Sequence, residues 1–96
     1  MRIDKKQIAI IRSILLQKMD DAKIYLFGSR VDDTKKGGDI DLFVKTSHCV
    51  SLKDEINILT QLELQGIQRK VDLIIDSKGK DKSEFFHSIQ KEAIVL

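Results

Sequence analysis

Apolar residues recur along this chain with two different periods, and the switches between them mark its elements. Ile8, Ile11 and Leu15 fall at helical spacing, Ile14 widens the stripe, and Asp4 followed by Gln7 resembles a capping box, so a first helix is expected over roughly 5–19. Ala22 to Phe27 reads as a short apolar strand ended by Gly28. The polar span from Arg30 to Gly38, closed by Gly37-Gly38, reads as a loop. A second strand is expected from Asp39 to about Lys45. Ser51 is placed to cap a second helix with apolar positions Leu52, Ile56, Leu59 and Leu62, and Gly66 is a natural stop. A third strand covers Lys70 to Ile75. After a polar stretch, Ser83 is placed to cap a last short helix carrying Phe85, Phe86, Ile89 and Ala93. The apolar end, Ala93 to Leu96, is expected to pack against the core or, failing that, a partner.

The order helix, strand, strand, helix, strand, helix predicts an α/β (α+β) fold, a small mixed sheet of about three strands with helices packed against it. No repeat, low-complexity tract or composition shift divides the chain, so residues 1–96 are read as one domain.

Alternation along the strands separates two chemistries. In the second strand Asp39, Asp41 and Phe43 share one face and Ile40, Leu42 and Val44 the other. Two carboxylates one residue apart on one face repel each other unless a cation lies between them, and hard oxygen donors of this kind suit magnesium that also binds substrate phosphates. The third strand repeats the theme: Val71, Leu73 and Ile75 share a face, while Asp72 points the other way with Ile74. An unpaired carboxylate inside an apolar strand is costly to bury, so Asp72 either faces water or joins Asp39 and Asp41 in one site. Asp76 has the same parity but falls at the strand's far end, where a solvated turn is the simpler reading. The turn at Gly28-Ser29 offers backbone N–H groups and a hydroxyl to phosphates.

Composition narrows the picture further. Lys and Arg number 17 against 15 Asp and Glu, and the formal charge of +2 is too small to suggest non-specific nucleic-acid binding. No apolar segment is long enough to cross a bilayer, and Met1-Arg2-Ile3-Asp4 lacks the apolar core of a signal peptide, so a cytoplasmic location is expected. Cys49 is the single cysteine, which excludes an intramolecular disulfide. With its neighbour His48 it does not make a zinc site, and the pair reads as part of a loop or helix start.

Gly28-Ser29, then Asp39-Ile40-Asp41 after about nine residues, then Asp72 on a neighbouring strand: this sequence resembles the DNA polymerase beta-like nucleotidyltransferase superfamily. It looks most like the minimal nucleotidyltransferases, small proteins that are often the antitoxin beside a toxin of the HEPN ribonuclease class. Arg30 completes the Gly-Ser-Arg form common in that branch, and Phe86 to Ala93 looks like its closing helix. Two departures stand out. Val31-Asp32-Asp33 replaces the usual small, basic and glycine residues, leaving Lys35 and Lys36 to balance charge, and Gly38 stands where a serine is frequent.

The resemblance implies a polymerase beta-like fold and transfer of a nucleoside monophosphate, AMP from ATP, to a hydroxyl. It implies Asp39, Asp41 and Asp72 as metal ligands and catalytic residues for two magnesium ions, and Gly28, Ser29 and Arg30 as nucleotide-binding residues. Larger relatives carry a separate acceptor-recognition domain for which 96 residues leave no space, so the implied acceptor is a partner protein, a HEPN-type toxin, rather than nucleic acid. The alternative is a non-catalytic antitoxin that neutralises the toxin by covering it.

Overall fold

In the computed structural model, described here for residues 5–27, 40–67 and 70–96, the expected order of elements is present with one addition. Helix α1 spans Lys5–Lys18, strand β1 Lys23–Phe27, strand β2 Ile40–Lys45, helix α2 Leu52–Leu64, strand β3 Val71–Asp76 and helix α3 Ser83–Ile89. The addition is β4, Ile94–Val95, at the apolar C-terminal end. The four strands form one mixed sheet in the order β3-β2-β1-β4. β1 runs antiparallel to β2 and to β4, whereas β2 and β3 are parallel. A parallel neighbour requires a crossover connection, and α2 supplies it.

Helices α1 and α2 cover one face of the sheet. Ile11, Leu15 and Met19 from the first helical segment and Ile58 and Leu62 from α2 meet Ile24, Ile40, Leu42, Val44 and Ile75 from the strands, all buried. The opposite face is covered in part by α3 through aromatic rings: Phe43 lies 5.9 Å from Phe85 and 5.3 Å from Phe86, centroid to centroid, and Tyr25 lies 5.0 Å from Phe86. Lys45 Nζ sits 4.8 Å from the Phe86 centroid, a cation–π contact at the rim. Phe43 is fully buried although it belongs to the carboxylate side of β2, because α3 makes a second, aromatic core there.

The capping box at α2 is a reciprocal pair between Ser51 and Asp54, in which the Ser51 hydroxyl accepts from the Asp54 N–H and the Asp54 carboxylate from the Ser51 N–H. At the other end Gly66 adopts φ +111°, a left-handed conformation that glycine enters without penalty, and turns the chain out of the helix. Three expectations need correction. In α2 the buried positions are Ile58 and Leu62, while Leu52 and Ile56 are 67% and 55% exposed. The helix carries more apolar residues than one stripe needs; Leu59 and Leu62 face the core as expected, and Ile58 takes the inward place expected of Leu52 and Ile56. At the last helix Ser83 lies inside, and the Asp81 carboxylate accepts from the Ser83 N–H instead. That helix stops at Ile89, so Ala93 lies outside it, and Ile94 and Val95 pair with Leu26 and Tyr25. The Leu96 N–H donates to the Ile24 carbonyl, and Leu96 packs against the core. Asp4, expected to cap α1, lies outside the described residues. Among the described residues no helix is long and apolar enough to cross a membrane.

Candidate functional site

Asp41 and Asp72 are register partners across the parallel pair β2·β3. Residues paired in register project from the same face, and adjacent strands lie about 4.8 Å apart, so the two carboxylates leave the sheet side by side. Ile40 and Leu42 on one strand and Val71 and Leu73 on the other point to the opposite face, toward α1 and α2. The alternation that fills the core is therefore what puts the acids on the far side. Hydrogen bonding from the Ile40 N–H to the Lys70 carbonyl, at 2.8 Å, starts the pairing just before the two acids.

Asp41 is half-buried and Asp72, on an edge strand, is exposed. Across β1·β2, Asp41 is in register with Phe27, the last residue of β1. The same end of the sheet thus holds two carboxylates, the aromatic end of β1 and the point where the chain enters Gly28-Ser29. Gly28, Ser29, Arg30 and Asp39 themselves lie outside the described residues.

A family model described as polymerase beta, nucleotidyltransferase matches residues 10–96, which include every described strand and both acids. The chain belongs to this family. No curated protein matches it. The family's chemistry is nucleotidyl transfer, which uses a nucleoside triphosphate and a divalent metal, and the α+β architecture with its mixed sheet agrees with that membership. Two hard oxygen-donor side chains on one face, one of them at an open edge, fit an ion of the magnesium type in donor chemistry.

The nucleotidyltransferase domain contains a second acidic cluster that the sequence reading did not single out. Ligand-type atoms of Asp20, Asp21 and His48 lie within 4.8 Å of one another, all three residues exposed. This cluster is at the other end of the sheet: Asp21 precedes β1 and His48 follows β2, and the five residue steps from Asp41 to Thr46 span roughly 17 Å of extended chain. Its carboxylates already have protein partners. Asp21 accepts from the Thr46 hydroxyl at 2.6 Å, from the Ser47 N–H at 2.9 Å and from the Ser47 hydroxyl, and these bonds hold its carboxyl far below the ordinary range. His48 Nε2 lies 2.9 Å from Asp20 Oδ1, which raises the imidazole above its usual value. The His48 carbonyl accepts from the Lys78 N–H. The arrangement clasps three turns together at the end of the sheet remote from Asp41 and Asp72. Pairs 25 to 28 residues apart in two polar turns leave no local pattern by which sequence could have found them.

A groove of about 630 Å³ between α1 and α2, lined by residues such as Ile10, Ser13, Gln17, Asn57 and Gln61, lies on the helical side of the sheet. The two acids are on the other side, so this groove takes no part in their chemistry.

Proposed function

We propose that this domain transfers AMP from ATP to a hydroxyl of a partner protein, acting as the antitoxin toward a HEPN-type toxin. The observation that carries the reading is the in-register pair Asp41–Asp72 on the face opposite the core, in a chain of the polymerase beta nucleotidyltransferase family. Asp72 stands exposed on an edge strand, so an acceptor as large as a protein side chain reaches it without entering an enclosed pocket. The Gly28-Ser29-Arg30 form supports the minimal, antitoxin-type branch.

In this reading Asp39, Asp41 and Asp72 would hold magnesium, which when bound would offset the charge of the triphosphate and lower the pKa of the acceptor hydroxyl. The Gly28 backbone and the Ser29 hydroxyl donate to the terminal phosphates, and the Arg30 guanidinium balances charge on the departing pyrophosphate. Asp72 orients the acceptor hydroxyl and takes its proton. The acceptor oxygen then bonds to the α-phosphorus in line with the α–β bridging oxygen, which leaves with the electron pair as pyrophosphate. Positioning matters because a bimolecular reaction without it forfeits several kcal/mol.

Intact-mass spectrometry of the partner toxin, incubated with magnesium, ATP and this domain, tests the reading. The expected result is a covalent increment of one nucleoside monophosphate, lost with Asp41→Asn and with Asp72→Asn. An unmodified toxin that is nevertheless silenced equally by wild type and both variants would replace transfer by simple covering.

A further inference from the structure

Beside the carboxylates the sheet presents apolar rings where charged or polar side chains would be the ordinary neighbours. Phe27 is the register partner of Asp41, one strand away, and Phe43 follows Asp41 by two residues on the same face. Phe85 descends from α3 onto this spot. It stacks on Phe43 at 5.9 Å with an interplanar angle of 17°, and meets Phe27 edge-to-face at 5.4 Å and 76°. Phe43 is fully buried by this arrangement, but Phe27 and Phe85 are only half-buried. Two partly exposed rings, fixed against each other by a T-shaped contact and abutting a carboxylate pair, make a surface with a flat apolar part and an ionic part.

We propose that Phe27 and Phe85 form the stacking surface for the nucleobase of the triphosphate, a role that rests on the nucleotidyl-transfer reading of Asp41 and Asp72. A nucleotide has the matching division: polyanionic phosphates that require a cation at the carboxylates, and a planar aromatic base a sugar's length away. Stacking on aromatic side chains is tolerant of base identity because every base has a π-face. Phenyl rings carry no hydrogen-bonding group with which to read a base edge. Selection at this surface therefore follows ring area, purine over pyrimidine, with little discrimination between adenine and guanine. The contact is made by residues 58 positions apart (27 and 85) that only the fold brings together.

Equilibrium titration with calcium in place of magnesium, to suppress turnover, separates the two parts of the surface. The ligands are ATP, GTP, CTP and inorganic tripolyphosphate, and the proteins are wild type, Phe27→Leu and Phe85→Leu, each checked for an intact thermal transition. Leucine keeps apolar cover over Phe43 while removing the ring. ATP and GTP should bind wild type within about threefold of each other and more tightly than CTP. Each leucine variant should weaken ATP and GTP by roughly tenfold, within the range known for base–aromatic stacking, and leave tripolyphosphate within twofold of wild type. Unchanged ATP affinity in both variants, or parallel losses for ATP and tripolyphosphate, would overturn the stacking surface. So would variants that bind ATP normally but lose transfer only by failing to saturate with the partner protein, because the rings would then serve the acceptor. A wild-type protein that binds tripolyphosphate but gains nothing from a base defeats this inference alone; one that binds neither defeats the nucleotide site with it.

Discussion

Replacing Phe43 by leucine tests how α3 is attached. Phe43 is fully buried and has three ring neighbours, Tyr25 at 6.3 Å, Phe85 at 5.9 Å and Phe86 at 5.3 Å. Aromatic pairs contribute about 0.5–1.5 kcal/mol each beyond the area they bury. Leucine keeps most of the apolar burial and loses all three pairs, and because neighbouring terms are not additive the expected cost is about 2 kcal/mol. For a domain of this size that lowers Tm by roughly 8–16 °C. Phe27, half-buried and with Phe85 as its ring neighbour among the described residues, should lose about a third as much on the same substitution. Urea denaturation followed by circular dichroism measures both variants, and amide exchange should show α3 opening before α1 and α2 in the Phe43 variant. Equal losses at the two positions, or exchange in α3 no faster than in α1, would refute the idea that Phe43 is the seat of α3.

Removing the α2 cap with Ser51→Ala should cost about 1 kcal/mol, read as a lower urea midpoint with an unchanged slope. The remote clasp should give stability a pH dependence of two signs. Asp21 is depressed, so its contribution is present above about pH 4 and fades as the pH falls toward its folded value, whereas His48 is raised, so its contribution is present below about pH 6.5 and fades as the pH rises through its folded value. Urea midpoints from pH 3 to 9 should therefore lose part of their acid slope in Asp21→Asn and part of their alkaline slope in His48→Gln.

Where the chain alternates strictly, its fold was legible. The parities of Ile40 to Val44 and Val71 to Ile75 define inner and outer faces, and the structure pairs those strands in the register that puts Asp41 beside Asp72. Parity alone does not say which strands are neighbours; the parallel pairing became visible only with α2 laid across as the connection. The two residues of β4 are too few to show a period, and pairing with β1 gives them their form. In α2 the expected positions Leu59 and Leu62 do face the core, but the surplus of apolar residues hid that Ile58, rather than Leu52 and Ile56, completes the packed face. The aromatic cluster escaped for a similar reason: Phe85 and Phe86 announce an apolar helix face, but not the side of the sheet on which it lands. Gly28, Ser29, Arg30 and Asp39 rest on the family pattern, since the described structure begins again at Ile40.

The interleaving of β2 has a consequence for how such a domain tolerates change. Ile40, Leu42 and Val44 face α1 and α2 while Asp41 and Phe43 face the other way, so foundation and working surface are spelled in alternate letters of one short word. A point substitution edits one side and spares the other. A single inserted or deleted residue within the strand exchanges them, sending acids into the apolar interior and aliphatics to the outside. Length variation among relatives should therefore gather in the segment between β1 and β2 and in the turns beyond α2, leaving the residue count from Asp41 to Lys45 fixed.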